Sequence, residues 1–338
     1  MTANEILKDL KSRKFKPLYL LHGDEPYFID EVSDYIEDKV LNEAEKGFNQ
    51  TVLYGKDTDI MTVINAARRF PMMAEYQVII VKEAQDMKWG KEDADKKGLN
   101  PVLSYLENPL QSTILVLCYK YGKFDKRKKA YKAIEKNGIV MESAALYDNK
   151  VPGWIEGYTT AKGYRISAQA SAMLAEYLGN DLSKIANELS KLMLNVPAGQ
   201  EITLKHIQEN IGISKEYNVF ELQSALIRKD VLKANQIVNY FEANPKANPI
   251  VLVLGNMNNF FSKVLLFHYV KDKANAAREL GVSPYFLKDY EQAARSFDYY
   301  KTLQIISFLR EYDLKSKGVD SNASHGELMK ELVFKIIH

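Results

Sequence analysis

The chain has 338 residues, with 46 basic and 44 acidic side chains, a formal net charge of +2 and 46% hydrophobic residues. This length exceeds one ordinary hydrophobic core, so we expect two or three domains of a soluble globular protein. The nearly balanced charge disfavours a strongly basic nucleic-acid coat protein, although it leaves room for a local basic surface.

Three features predict a cytoplasmic location without membrane contact. The single cysteine, Cys118, rules out a disulfide within the chain and fits a reducing compartment. Residues 1–16 mix acidic and basic side chains and lack the apolar core of a signal peptide. The most apolar window, residues 249–270, contains three asparagines and a lysine, which predicts a buried bundle helix rather than a membrane span.

The first 145 residues alternate helical patterns with short apolar runs. The predicted strands are Pro17–Leu21, Phe48–Tyr54, Val78–Val81, Thr113–Tyr119 and Ile139–Met141. The predicted helices are Thr2–Lys11, one carrying Phe28, Val32, Ile36 and Val40, one capped by Thr58, and Pro101–Glu107. The polar stretch 86–100 is expected to be a solvated loop. This alternation predicts a three-layer α/β domain with a mostly parallel, five-stranded sheet.

The sequence around the first and third strands looks like an ATPase whose nucleotide site has been lost. The loop Gly23-Asp24-Glu25 follows the first strand in the context of a P-loop, but it has one glycine and two carboxylates. No GxxxxGK[ST] motif occurs in the chain, and the carboxylates would repel a triphosphate. The third strand ends in Lys82-Glu83, where ATPases usually have Asp-Glu with the Asp helping to hold Mg²⁺. We therefore predict a degenerate nucleotide site.

Two methionines, Met72 and Met73, stand between a predicted helix and the buried third strand, flanked by Phe70 and Pro71. The chain must turn over the surface here, and flexible, polarizable Met side chains are common at binding surfaces. The alternative interpretation is that both methionines are core residues that cover the sheet.

Residues 123–136 are rich in lysine and form a candidate DNA contact through Lys126, Arg127, Lys128, Lys129 and Lys132. Such a patch could contact phosphates. The alternative is a solvated helix face, since Tyr131 and Ile134 recur at helical spacing.

No other chemistry is indicated. None of the five histidines has metal-ligand spacing to another His or Cys, and there is no GxSxG, HExxH or catalytic triad. His268, in an apolar helix, is interpreted as a core histidine with its hydrogen bonds satisfied. We therefore expect no metal, no cofactor and no catalytic residue.

From Lys150 onward no strand pattern is found, and all predicted elements are helices. Ser167, Asp181 and Thr203 cap three of them, and the third ends at Gly212, which resembles the lid that follows an AAA+ ATPase domain. Seven further candidates are Val219–Arg228, Val231–Phe241, Pro249–Val270, Ala274–Leu280, Pro284–Ser296, Tyr299–Lys317 and Gly326–Ile337.

Three separated segments resemble the delta subunits of the bacterial DNA polymerase III clamp loader, in the right order and over nearly the whole chain. These are Leu18–Phe28, Tyr177–Leu182 with its continuation Glu188–Leu192, and Leu280–Tyr285 followed by 293–297 and 313–315. The second segment is the most specific match.

The resemblance implies three domains: a RecA-like AAA+ domain at 1–145 that does not hydrolyse ATP, an all-α lid at 146–212 and an all-α collar at 213–338. Such a subunit joins gamma/tau-type and delta-prime-type subunits in an assembly of five. It binds and opens the beta sliding clamp so that the clamp can be loaded on primed DNA during replication. It has no chemistry of its own, although it is part of a DNA-directed DNA polymerase, a nucleotidyltransferase holoenzyme.

In this family a pair of bulky apolar residues ahead of the third strand enters a hydrophobic pocket of the clamp. The resemblance assigns that role to Met72 and Met73. Many relatives have Leu-Phe there, so this chain keeps two apolar side chains but lacks the aromatic ring. The difference bears on affinity rather than on the mode of binding.

Two other classes of function stay open at this point. An active P-loop NTPase, such as a nucleotide kinase, is disfavoured by the missing Gly-Lys-Ser/Thr. A helical adaptor unrelated to replication would be favoured if no loader subunits co-purify with the chain.

Overall fold

The computed structural model describes residues 1–89, 100–197, 199–210, 217–272 and 275–338, without the side chain of Gln208. The chain divides into two compact units, Met1–Leu146 and Tyr147–His338. Most of the loop predicted at 86–100 and the domain boundary predicted at 212/213 lie outside the described residues.

The first unit is a parallel α/β domain, as predicted. Its elements are α1 (Ala3–Lys11), β1 (Leu18–Gly23), α2 (Pro26–Lys39), α3 (Glu43–Asn49), β2 (Gln50–Tyr54), α4 (Ile60–Ala67), β3 (Gln77–Lys82), α5 (Pro101–Glu107), β4 (Thr113–Lys120), α6 (Lys129–Asn137) and β5 (Ile139–Ser143). The sheet has five parallel strands in the order β2-β3-β4-β1-β5. One face packs against α1 and α2, and the other against α4, α5 and α6.

Because helices cover both faces of the sheet, its central strands appear in the sequence as unbroken apolar runs. All six residues of β1 are buried, and in β3 only Lys82 is partly exposed. A strand covered on both faces has no side that favours polar residues, so alternation disappears. At the carboxyl ends of these strands, Gly23 pairs with Lys120 and Tyr54 with Lys82.

Two local predictions in this unit are wrong, and the lysine-rich stretch 123–136 is helical only in part. Residues 48 and 49 end helix α3, which a capping box of Asn42 and Glu45 starts, so the second strand begins only at Gln50. Helix α4 is capped by Asp59, which accepts the Thr62 N–H at 2.9 Å, and not by Thr58. Helix α6 begins only at Lys129, because the N-cap residue Lys128 is extended.

The second unit is almost entirely helical. It contains α7 (Val151–Ala161), β6 (Arg165–Ile166), α8 (Ala168–Leu178), α9 (Leu182–Asn195), β7 (Glu201–Ile202), α10 (Leu204–Asn210), α11 (Val219–Ile227), α12 (Val231–Ala243), α13 (Ile250–Tyr269), α14 (Ala276–Leu280), α15 (Leu287–Ser296), α16 (Tyr299–Ser316) and α17 (His325–Ile337). All seven helices predicted after residue 213 are present, with α14 starting at Ala276 after the N-cap residue Asn275.

The predicted three-helix lid is wrong in its helix count, since the described residues from 147 to 210 form four helices and a two-residue parallel strand pair. The missed helix, α7, has no side-chain cap and contains Gly153 and Gly157. Both features weaken a sequence signal for a helix. The strands β6 and β7 are too short to show any periodicity.

Helix α13 is, by length and composition, the one helix among the described residues that could cross a membrane. Its residues Leu254, Met257, Phe261 and Val264 are buried in the main hydrophobic cluster of the second unit. We therefore assign α13 as a core helix. His268, near its end, lies 3.1 Å from the carbonyl oxygen of Phe297, so its ring has the partner that was expected.

Candidate functional site

The strongest candidate site is the segment between α4 and β3, residues 68–76, which we call the tip. Phe70 is 74% exposed, Met72 63% and Met73 fully exposed. The interpretation of Met72 and Met73 as core residues covering the sheet is therefore excluded. Three large exposed apolar side chains in so short a segment are unusual for a soluble domain. Exposed apolar patches of this kind mark interaction sites.

A single buried side chain, Asn49, holds the backbone of the tip. The Met72 N–H donates to Asn49 Oδ1 at 2.6 Å, and Asn49 Nδ2 donates to the Met72 carbonyl oxygen at 3.0 Å. The same Nδ2 also reaches the carbonyl oxygen of Glu45 at 3.1 Å. Both polar backbone groups of Met72 are thus satisfied by one residue, and its apolar side chain is left in water.

The start of the tip is fixed by a second buried amide. Gln77 Nε2 lies within hydrogen-bond distance of the carbonyl oxygens of Ala67 and Arg69 and of Thr113 Oγ1. Tyr105 and Thr113 donate their hydroxyls to the Ala67 carbonyl oxygen, at 3.2 and 3.0 Å. The last carbonyl groups of α4, which have no partner inside the helix, are satisfied in this way.

Backbone geometry gives Met73 an uncommon conformation. Its φ is +53°, in the left-handed region, which few residues other than glycine adopt. Such a conformation persists when its surroundings enforce it, and it is found often at binding sites. The hydrogen bonds of Asn49 to the preceding residue, Met72, help to enforce this conformation.

Phe48 was missed as a candidate because it was assigned to the second strand. It lies on the last turn of α3, directly before Asn49, and is 77% exposed. The signal that could have revealed it is the capping box of Asn42 and Glu45, which predicts a helix rather than a strand over the residues that follow.

At the opposite end of the sheet, the predicted degenerate nucleotide site is closed by its own side chains. The Glu25 carboxylate caps α2 by accepting the Tyr27 N–H at 3.0 Å, in the place where a phosphate binds a helix N-terminus. The Glu25 N–H donates to the Ser143 carbonyl oxygen, and the Ser143 hydroxyl donates back to the Glu25 carbonyl oxygen. Gly23 has φ +143°, and a Cβ there would lie 1.9 Å from the Ser143 oxygen.

The cation at the end of β3 is neutralised from within the domain. Lys82 Nζ lies 2.8 Å from Glu37 Oε2 and 3.7 Å from Asp34 Oδ1, both on α2. Partial burial alone lowers the pKa of Lys82, but the contact with Glu37 outweighs it and the pKa is raised. Lys120, at the end of β4, is paired with Asp30 on the same helix. Glu83, the other residue of the predicted site, has a left-handed backbone with φ +55°.

Among the described residues, no group of three or more His, Cys, Asp and Glu side chains could hold a metal ion. The thiol of Cys118 is buried, and burial raises its pKa to about 12. A thiol in that state is a poor nucleophile and a poor ligand.

The structure divides the candidate DNA contact into paired and unpaired cations. Lys126 and Lys123 both donate to Glu142, and these hydrogen bonds lower the Glu142 pKa to about 2. Arg127 forms a two-atom contact with Asp125. The remaining residues, Lys128, Lys129 and Lys132, have no ion pair with any residue that the structure describes.

Comparison with known proteins adds three findings. Residues 19–144 match the family whose description is DNA polymerase III, delta subunit. The chain is 26% identical to DNA polymerase III subunit delta of Bacillus subtilis over 318 residues, which cover 93% of this chain and 91% of that protein. A solved structure of the Bacillus subtilis DNA clamp loader delta protein superimposes with a TM-score of 0.63 at 24% identity, covering 99% of both chains. The last comparison shows that the fold is shared.

Proposed function

We propose that the chain, which matches the DNA polymerase III delta subunit family over residues 19–144, serves as a clamp-loader subunit in replication and is the subunit that binds and opens the sliding clamp. The tip, with Met72 and Met73 as anchors and Phe70 and Pro71 beside them, is the clamp-binding element. The observation that carries this proposal is the tip itself, where the backbone of Met72 is held by Asn49 and exposed apolar side chains face the solvent.

A rigid apolar tip suits a small hydrophobic pocket. Little backbone entropy is lost when a segment that is already held in place binds its partner. Apolar anchors that fill such pockets typically carry most of the binding free energy of an interface. The two methionines lack the ring of the Leu-Phe pair that the family resemblance implies, but their flexible side chains can adapt to the same pocket.

The chain binds no nucleotide in this proposal and carries out no reaction of its own. Glu25 occupies the anion position at α2, and Lys82 and Lys120 are already neutralised by α2 carboxylates. A triphosphate would have to displace these contacts and would then meet the exposed Asp24 carboxylate. Control by ATP must therefore come from neighbouring subunits, which hide or expose the tip.

The helical unit supplies the other contacts. We assign residues 146–212 as the lid and 213–338 as the collar that packs with the gamma/tau-type and delta-prime-type subunits in an assembly of five. Primed DNA passing through this assembly meets Lys128, Lys129 and Lys132, and the binding is electrostatic and independent of sequence. The protein functions in the cytoplasm, at the replisome.

The direct test is equilibrium binding of the purified chain to the sliding clamp of the same organism, without nucleotide. Saturable, ATP-independent binding, with release of the clamp from closed circular DNA, is the expected result. Saturable ATP binding by the isolated chain at micromolar concentration would contradict the assignment of an inactive nucleotide site.

A further inference from the structure

We propose that Asn49 is a positioning residue for clamp binding: through the Met72 backbone it holds the tip in the binding-competent conformation before the clamp arrives. This inference rests on the proposed function of the tip. Asn49 is 5% exposed and takes no part in the exposed surface, so it acts through another residue and not by contact.

The chemistry of the contact requires an amide. Asn49 offers one acceptor to the Met72 N–H and one donor to the Met72 carbonyl oxygen, as a neighbouring strand would. Asn49 is the last residue of α3 and directly precedes β2, whose first residue, Gln50, pairs with Val78 of β3. The side chain thus links the start of β2 to the backbone of Met72, a residue of the tip that is 23 positions away in the chain.

The contact matters because the tip has no regular secondary structure of its own. The nine residues 68–76 join α4 to β3, and Met73 among them has the uncommon left-handed backbone. Without the contact, the tip would sample other conformations, and the apparent affinity for a partner falls in proportion to the competent fraction. Asn49 therefore raises the fraction of free subunits whose tip is in the binding-competent conformation.

The variant that isolates this effect is Asn49→Asp, which keeps the side-chain shape and the acceptor for the Met72 N–H but removes the donor. A carboxylate would also face the carbonyl oxygens of Met72 and Glu45. Losing one hydrogen bond and adding this repulsion should weaken clamp binding by roughly 5- to 30-fold, with Asn49→Ala in the same range.

Asn137 provides a matched control in the same domain. Its Nδ2 donates to the carbonyl oxygens of Leu106, Glu107 and Ala133, at 3.0 to 3.1 Å, and so ties α6 to the end of α5. Asn137→Ala removes a comparable structural amide that has no contact with the tip. Its thermal unfolding should shift as much as that of Asn49→Ala, with clamp affinity within about twofold of wild type.

A double-mutant cycle separates positioning from general stability. In the background Met72→Ala with Met73→Ala, Asn49→Asp should cost less than about a further twofold, since there is little left to position. Equal losses in both backgrounds, or wild-type affinity of Asn49→Asp, would overturn the role of Asn49 and leave the proposed function intact. Wild-type affinity of the double-alanine background would instead overturn the tip as the clamp-binding element and this inference with it.

Discussion

The two ends of strand β3 differ in whether their side chains have partners inside the domain. At the carboxyl end, Lys82 is paired with Glu37 and Asp34, and the neighbouring loop is closed by Glu25 and Ser143. At the amino end, Asn49 and Gln77 bond backbone groups of Met72 and Arg69, but the side chains of Phe70, Met72 and Met73 lie in water. Both ends are ordered by hydrogen bonds and charges from inside the domain.

This difference teaches where a binding function can lie in a parallel α/β domain of this kind. Polar groups that are satisfied internally offer little to a ligand, because a ligand must first displace their partners. Exposed apolar side chains on a fixed backbone lose only water when they are buried, and that loss is favourable. The polar groups at one end are paired within the domain, and the proposed contact surface lies at the other end of the same strand.

The largest expected effect comes from separating the two units. A fragment of residues 1–146 contains both ends of β3 and its own hydrophobic clusters. We expect it to bind the clamp within about threefold of the full chain, since rigid interfaces are governed by local anchors. It should fail to join the other loader subunits at all in size-exclusion chromatography. Normal assembly of the fragment would contradict the assignment of the collar.

The second prediction tests the carboxyl end alone. Lys82→Ala leaves the partly buried Glu37 and the more exposed Asp34 of α2 without their cation, which should lower the free energy of unfolding by about 1 kcal/mol. That loss corresponds to a melting temperature lower by about 3 °C in a domain of this size. Lys82→Arg should behave as wild type, and neither variant should bind ATP. A change in clamp affinity in Lys82→Ala would show that the two ends of β3 are coupled.

The smallest effect is expected on DNA. Lys129→Ala with Lys132→Ala removes two unpaired cations, so the slope of log K against log salt concentration should become shallower by about 2. Lys126→Ala is the control, because that cation is already neutralised by Glu142 and should change the slope less. Since the Glu142 pKa is lowered to about 2, the carboxylate stays charged and this pairing persists throughout the neutral range. Equal effects of Lys126 and the α6 lysines would contradict the division into paired and unpaired cations.

The fold was predictable wherever local patterns decide it. The apolar run Val78–Val81 predicted a strand covered on both faces, and caps and glycines predicted all seven helices after residue 213. The helices α3 and α7 were not predicted. Helix α3 has seven residues, and α7 lacks a cap and contains two glycines, so neither gives a strong helical pattern.

The position of the candidate site in the sequence was predictable, but its structure was not. The residues Met72 and Met73 stood out by composition, yet a pattern cannot tell an exposed methionine from a buried one. That choice is made by Asn49 and Gln77, through hydrogen bonds to backbone atoms distant in sequence. The ion-pair partners of Lys82 lie on α2 and could not be predicted from the sequence pattern either. Long-range polar contacts leave no periodic signal in the chain.

The measurement that tests the central claim most directly combines clamp affinity and thermal unfolding for Met72→Ala with Met73→Ala. Truncating two anchors costs about 2 kcal/mol or more of binding free energy, which is roughly 30-fold or more in affinity. Both side chains are exposed, so the unfolding temperature should stay within about 1 °C of wild type, as for other surface changes. Unchanged clamp affinity in a normally folded variant would contradict the account.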